Sequence, residues 1–373
     1  MISNLNALKN KDSIRVAIIG LGAVTRNIHL PAYSILAKKI KVVGGCDTDV
    51  EARKTAREKF GITEVFDNPL KMIESTVPDI VSVCTPPFLH VEQTLMALEN
   101  GCHVFCEKPL AESLPRAVQI VKAAEEFGRQ VVVNNQFPYM NIHLGAKRMI
   151  GSPEFGRLLF LQAWQTFHPT HDTEAGWRGE LQQRLCFEFG IHVFELARYF
   201  FEAEPVLISA QMPQPQPDKF SDTLNLITLE FADGRAASII LNRLSKGPER
   251  YLDMRLDGEL ASVHTSIGGS VGIKAGIHTR EKRPFLGIDF VKGGSAVLQK
   301  GNKSKIIAKD GINPFASSTA HHFGNFIKAI QEGETPPATA QDNLKTLALV
   351  FAAYESAKSR CAVKMDEYLG NIQ

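Results

Sequence analysis

A chain of 373 residues with 44% hydrophobic and 22% charged side chains is globular and too long for one ordinary core, so two domains are expected. Its 42 basic and 40 acidic residues leave a net charge of +2, which supplies no large positive field for nucleic acid or a membrane surface. No stretch reaches the roughly 18–20 apolar residues of a membrane span, and the polar tail 1–12 has no apolar signal core, so the expected location is the cytoplasm.

Residues 14–19 read as a short β-branched strand that ends in Gly20-Leu21-Gly22, with a helical pattern from about residue 26. Strands at 41–46, 80–84, 102–106 and 130–133 alternate with helices at 49–60, 88–100 and 114–127. Gly61, Gly101 and Gly128 stand just past the helix ends. Strands apolar on both sides and alternating with helices specify a parallel sheet covered on both faces. The pattern changes after residue 135. A long strand at 157–167 and an aromatic-rich helix at 187–201 lead into strand-like runs at 223–231, 235–244, 250–256 and 259–265. Asp233-Gly234 and Asp257-Gly258 separate these runs and read as hairpin turns, so an antiparallel sheet is expected. Helices follow at 322–332 and 342–360. The expected fold is α/β: a Rossmann domain at 13–135, then a second α/β domain at 136–373 with a large, mostly antiparallel sheet. Six cysteines without a C-x-x-C spacing read as buried free thiols.

Gly20 allows a tight turn after the first strand, and Gly22 lets backbone approach a pyrophosphate on the helix N-terminus. The third fingerprint position is Thr25, which is expected to loosen helix–strand packing. Asp47 ends the second strand 25 residues past Gly22. Its carboxylate can accept both adenosine ribose hydroxyls and repels a 2′-phosphate, which points to NAD. Glu188 and His192 stand four apart in a helical run, where a carboxylate can orient an imidazole. Lys108 follows a buried strand at its carboxyl end, the edge where open α/β sheets hold ligands. A dehydrated cleft there would disfavour its ammonium form, and Lys108 or His192 can serve as base for a hydroxyl proton. His168 and His171 have no third ligand at sensible spacing, so no metal is expected.

Together, Gly20-Leu21-Gly22-Ala23-Val24-Thr25 with His29-Leu30-Pro31-Ala32, Thr85-Pro86-Pro87 with His90, Glu107-Lys108-Pro109 and Glu188-Phe189-Gly190-Ile191-His192 give the chain its family likeness. It resembles the glucose-fructose oxidoreductase / inositol dehydrogenase / MocA family over nearly its whole length. The resemblance implies oxidation or reduction of a sugar, cyclitol or derivative by NAD, with the nicotinamide held between the domains, and a homodimer or homotetramer formed through the antiparallel sheet. It implies that Gly20, Gly22, Ala23, Val24, Asp47, Thr85, Pro86, His90, Glu107 and Lys108 bind the dinucleotide, and that Lys108, His192 and Glu188 serve catalysis. It further implies a cis Lys108–Pro109 bond, and substrate contacts at His168, His171, Trp177 and Arg178, with Tyr139 able to reach the cleft. Arg178 suits an anionic substituent. Two departures stand out. The family's usual Asp is Glu188 here, and Gln183-Arg184-Leu185-Cys186 stands where glycines often precede the motif. Those departures keep two other readings open: a redox-neutral, NAD-dependent glycoside cleavage, and a non-catalytic dinucleotide-binding regulator.

Overall fold

The structure, a computed structural model, describes residues 8, 11, 13–166, 176–216, 218–246, 250–268, 271–277, 284–290 and 294–370. Two compact units emerge: Met1–Tyr139 with Phe315–Phe351 and Glu367–Gln373, and Met140–Pro314 with Ala352–Asp366. This division departs from a simple break near residue 135, because a late helical segment belongs to the first unit.

In the first unit, β1 (Ile14–Ile19), β2 (Ile40–Cys46), β3 (Val65–Phe66), β4 (Ile80–Val83), β5 (His103–Cys106) and β6 (Val131–Val133) form one sheet. Its order is β3-β2-β1-β4-β5-β6, and the pairs are parallel. The order reverses between β1 and β4, and ligands of open parallel sheets sit at the carboxyl ends beside such a switch point. Helices α1 (Leu30–Ile35), α2 (Val50–Phe60), α3 (Pro69–Thr76), α4 (His90–Glu99) and α5 (Leu114–Glu126) connect the strands. The Asp49 side chain caps α2 by accepting from Glu51 N, and Gly61 ends it in the left-handed region. The late helix Pro314–Glu332 joins this core: Ala320, Phe323, Phe326, Ile327 and Ile330 cluster with Ile18, Phe105 and Val132. Phe105 meets Phe323 edge to face at 4.9 Å between ring centroids. Such rings bury large apolar areas, which is why this helix stays with the parallel sheet despite its distance along the chain.

The second unit carries a nine-stranded sheet. Its strands are β7 (Leu158–Thr166), β8 (Pro205–Gln211), β9 (Leu224–Phe231), β10 (Ala236–Asn242), β11 (Arg250–Gly258), β12 (Ser262–Ile267), β15 (Ser295–Lys300), β16 (Lys303–Lys309) and β17 (Val363–Lys364). They lie in the order β16-β15-β12-β11-β7-β10-β9-β8-β17. All pairs are antiparallel except β7 with β10. β13 (Val271–Ile277) and β14 (Pro284–Phe290) pair apart from it. Burial alternates along β9 and β10, as one covered and one open face require. Helix α6 (Asn141–Met149) packs on β12, β15 and β16, and the helix Ile191–Phe201, with ten of its eleven residues buried, packs on β7.

Both expected hairpins form, with turns placed differently. Gly234 has φ +80° and ends the β9–β10 turn. Gly258 instead lies inside β11, and the turn runs on to Ala261, whose carbonyl accepts from Gly258 N at 2.9 Å. A Cβ at Gly258 would meet the Phe155 ring at 2.5 Å, so close packing requires this glycine. Among the thiols, Cys46, Cys102, Cys106 and Cys186 are buried and Cys84 is half-buried, but Cys361 is exposed. No described helix is long and apolar enough to cross a membrane.

Candidate active site

The first glycine pair builds a cradle from two different constraints. Gly20 has φ +92°, and a Cβ there would lie 2.7 Å from the Cys84 carbonyl oxygen. That backbone approach locks the end of β1 against the end of β4. Gly22 is exposed, and a Cβ on it would meet nothing within 4 Å. Space is therefore left where the sequence places a pyrophosphate, at the start of a helix whose first N–H groups have no intrahelical acceptor. Asp47 binds both sides of this turn: Oδ2 accepts from Leu21 N at 2.7 Å and Oδ1 from Asp49 N at 2.9 Å. The remaining lone pairs of its half-buried carboxylate are available to ribose hydroxyls. Thr25 does not loosen the packing. It is fully buried and its hydroxyl donates to the Gly20 carbonyl at 2.5 Å. The helix opens there as a π turn, Thr25–His29, with Leu30 N–H bonded to the Thr25 carbonyl five residues back. These residues fit a dinucleotide.

Lys108 stands out at the carboxyl end of β5: from Cys102 to Ala111 every residue is buried except half-buried Lys108. The Lys108–Pro109 bond is cis. Glu107, by contrast, turns inward. Its Oε1 accepts from Asn134 Nδ2 and pairs with His29 Nε2, both at 2.7 Å, while Oε2 accepts from Lys108 N at 3.2 Å. His29 Nδ1 meets Tyr33 Oη at 3.2 Å, and Tyr33 is hydrogen-bonded to Ser82. Burial disfavours a charged His29 ring, yet Cys84, Tyr33 and Glu107 outweigh it and hold the ring well above its usual range. Burial likewise opposes the Glu107 carboxylate, and His29, Asn134 and Lys108 overcome it and keep it low. His90 is fully buried between two carbonyls, Thr85 at 2.8 Å and Pro109 at 2.9 Å, and burial pushes it below the usual imidazole range. It ties the two loops together at this edge. Thr85 and Pro86 are half-buried there, and Thr85 Oγ1 donates to Gln93 Oε1 at 2.6 Å.

The second unit holds the other predicted group. A π turn, Cys186–Gly190, opens the helix Ile191–Phe201 and carries Glu188, as the first π turn carries His29. The free N–H groups before it are capped: Asp222 Oδ1 accepts from Arg184 N and Leu185 N, and Tyr354 Oη accepts from Cys186 N and Phe187 N. Glu188 is clamped by two guanidinium groups, Arg178 Nε on Oε1 at 2.7 Å and Arg184 Nε on Oε2 at 2.6 Å. This qualifies the expectation that Glu188 mainly orients His192, since both carboxylate oxygens serve arginines. Arg184 is fully buried, and the longer Glu in place of Asp spans to both cations. Arg178 also lies over the Trp177 ring, 4.4 Å from its centroid. His192 is 3% exposed at the start of the same helix.

Sequence reasoning named Gly20, Gly22, Asp47, Lys108, Glu188 and His192, quoted His29 and Arg184 without giving them a role, and missed the other groups behind the site: Tyr33, Asn134, Asp222 and Tyr354. One available signal was Asn134-Asn135-Gln136 directly after a buried strand. Asn135 is 1% exposed, and neither end of its amide has a hydrogen-bond partner among the described residues, so it offers a donor and an acceptor to a ligand. Tyr139 stacks on His322 at 4.4 Å, a packing contact. His168 and His171 lie outside the described residues.

Two family models cover most of the chain: residues 14–135 match the oxidoreductase family with an NAD-binding Rossmann fold, and residues 143–264 match the C-terminal domain of the same family. D-glucoside 3-dehydrogenase of Escherichia coli is 40% identical over 116 residues, 31% of this chain and 33% of that protein. D-apiose dehydrogenase of Paraburkholderia graminis is 23% identical over 94% of this chain and 89% of its own. An Agrobacterium radiobacter oxidoreductase, solved with NAD+, L-tartaric acid and magnesium, superposes with a TM-score of 0.81 at 19% identity, covering 95% of this chain and 99% of that one. The chain belongs to the Gfo/Idh/MocA family of oxidoreductases and binds NAD on its Rossmann unit.

Proposed function

We propose that this chain is an NAD-dependent dehydrogenase of a small, polyhydroxylated, sugar- or cyclitol-like molecule. The observation that carries the reading is a half-buried lysine projecting from a wholly buried loop, at the sheet edge that also holds the Gly20–Gly22 turn and Asp47. Gly20, Gly22, Ala23 and Val24 would hold the pyrophosphate, Asp47 the adenosine ribose, and Thr85 and Pro86 the nicotinamide side, with His90 and Glu107 fixing those loops from behind. Bound NAD supplies the hydride acceptor. Lys108 takes the proton of the hydroxyl whose carbon loses hydride, and His192 hydrogen-bonds the oxygen. Glu188 keeps its helix and the two arginines in place, while Trp177 and Arg178 serve the substrate. The protein works in the cytoplasm as a homodimer or homotetramer.

The test is NADH formation across a panel of polyols and sugars, with NAD and NADP affinities measured separately. Lys108→Ala should leave NAD affinity within about threefold and lower kcat about 100-fold or more. A variant with wild-type turnover removes Lys108 from the chemistry, and tighter NADP binding removes the role given to Asp47.

A further inference from the structure

Three consecutive amides, Asn134, Asn135 and Gln136, follow β6 at the carboxyl edge of the parallel sheet, and all three are buried. Their backbone is committed: Asn134 N donates to the Cys106 carbonyl and Asn135 N to the Val133 carbonyl, both at 2.7 Å, and the Gln136 carbonyl accepts from Tyr139 N at 3.0 Å. Asn134 Nδ2 is also engaged, donating to Glu107 Oε1 at 2.7 Å and to Thr319 Oγ1 at 3.4 Å. Four side-chain atoms of the run have no hydrogen-bond partner among the described residues: Asn134 Oδ1, Asn135 Oδ1, Asn135 Nδ2 and Gln136 Oε1. Buried amide atoms are costly to leave unpaired, so the working protein brings a partner to them.

The deficit has a definite composition: three acceptor oxygens and one amino group. A carboxylate or phosphate brings only acceptors and would face those oxygens, and a hydroxyl brings a single proton. A primary carboxamide brings two N–H donors and a carbonyl, and two such amides pair edge to edge, each donating once and accepting once. The position says which carboxamide. Asn134 follows β6 as Glu107 follows β5, and these strands are neighbours with Cys106 opposite Val133. The bond from Asn134 to Glu107 therefore sets the amide run beside the loop of Lys108. Lys108 is half-buried, so the edge is open there to an entering ring. Nicotinamide carries a primary carboxamide on the ring carbon next to the one that takes hydride, and that carbon has to approach the hydroxyl that Lys108 deprotonates. A trapped water matches the same count of donors and acceptors, and binding measurements separate the two.

We propose that Asn135 pairs with the carboxamide of the bound nicotinamide, Oδ1 accepting from its NH2 and Nδ2 donating to its carbonyl, with Asn134 Oδ1 and Gln136 Oε1 placed to take the second N–H. The pairing fixes the rotation of the ring about its glycosidic bond, and so which of its faces meets the substrate. The proposal rests on the oxidoreductase reading and adds a residue to its cofactor site. Calorimetry on the full chain compares three ligands: NAD, ADP-ribose, which has no nicotinamide, and 3-acetylpyridine adenine dinucleotide, in which a methyl replaces the NH2. Wild type should bind the acetylpyridine analogue about tenfold more weakly than NAD. Asn135→Leu should weaken NAD by about tenfold or more, leave ADP-ribose within about twofold, and shrink the preference for NAD over the analogue to about threefold or less. A trapped water would make the residue purely structural. In a folded Asn135→Leu protein, NAD and ADP-ribose affinities would then fall together or both stay as in wild type, and either result overturns the pairing. If Asn135→Leu does not fold, Asn135→Asp decides, since it keeps the shape and lacks the N–H donors: loss of NAD with ADP-ribose retained supports the pairing, and equal changes in both end it. A wild-type chain that binds ADP-ribose but not NAD, or neither, ends the cofactor reading itself, a failure distinct from these.

Discussion

Gly20 and Gly22 look alike in the sequence, yet the structure gives them opposite reasons to be glycine. At Gly20 the positive φ and the Cys84 carbonyl at 2.7 Å forbid a side chain on internal grounds. At Gly22 nothing of the protein stands within 4 Å, so only a ligand excludes one. Gly20→Ala should therefore lower stability by more than about 2 kcal/mol, from backbone strain and displacement of the β4 end. Gly22→Ala should unfold like wild type in urea but lose NAD affinity by about tenfold or more. Equal NAD affinity in a folded Gly22→Ala protein would mean that the pyrophosphate lies elsewhere. Glu107 teaches a related lesson. Its place beside Lys108 suggested a ligand contact, whereas its carboxylate is spent on His29, Asn134 and the Lys108 amide. His29→Leu leaves that buried charge without its partner and should cost about 3–5 kcal/mol, read from urea midpoints near pH 6.

The helix Pro314–Glu332 shows what hydrophobic patterning does and does not convey. Sequence reading found only its second half, from His322, and placed it in the later domain. Its apolar residues were visible, but nothing local says which sheet they cover, and the partners Phe105 and Val132 lie some 200 residues earlier. The parallel strands were legible because burial on both faces writes one continuous apolar run per strand, and the same signal marked the edge bearing Lys108. The π turns were not legible, since one extra residue in a helical turn leaves no mark on composition. His322 on this helix also has a titration consequence. Burial pushes it down to about 3, and burial lowers His103 to about 4 and His90 in the same direction. Each ring is neutral in the folded chain and takes a proton on unfolding below pH 6.5. Their stabilisation is thus full above pH 6.5 and is lost as pH falls toward the folded values, at up to about 1.4 kcal/mol per pH unit each. His29 has the opposite sign: held above its usual range, its contribution declines as pH rises past 6.5. His322 lies between Tyr139, 4.4 Å away, and Phe105, 5.4 Å away, so a phenyl ring can replace it. His322→Phe should flatten the fall in stability between pH 6.5 and 4.5 by about one proton. Circular dichroism is the suitable monitor, because both tryptophans, Trp164 and Trp177, belong to the other unit. An unchanged slope would show that His322 is protonated in the folded protein.

At the scale of the whole molecule, the nine-stranded sheet raises the question of what meets its open face. The strands β9 and β10 were legible in the sequence as runs around Asp233-Gly234, but which outward residues line up depends on register, and register depends on strands that are not neighbours in the chain. The pairing of β7 with β10 and of β10 with β9 places Trp164 opposite Ile240 and Ile240 opposite Leu226. An apolar row thus crosses three adjacent strands, and Trp164 is 43% exposed and Leu226 36%. Scattered apolar residues on a surface need no explanation, whereas a registered row on an extended sheet is the kind of patch that a second subunit covers. Because a two-fold interface brings the same patch from each subunit together, one introduced carboxylate appears twice in it. Ile240→Glu at the centre of the row should therefore place two like charges in an apolar contact and shift the assembly toward monomer at micromolar concentration. Light scattering coupled to size exclusion reads the mass directly, and the half-buried position of Ile240, between the buried Ile239 and Leu241, leaves the buried face of the sheet intact. A wild-type chain that is already monomeric, or an Ile240→Glu protein with the wild-type mass, would show that this face is open to solvent and that any association uses another surface.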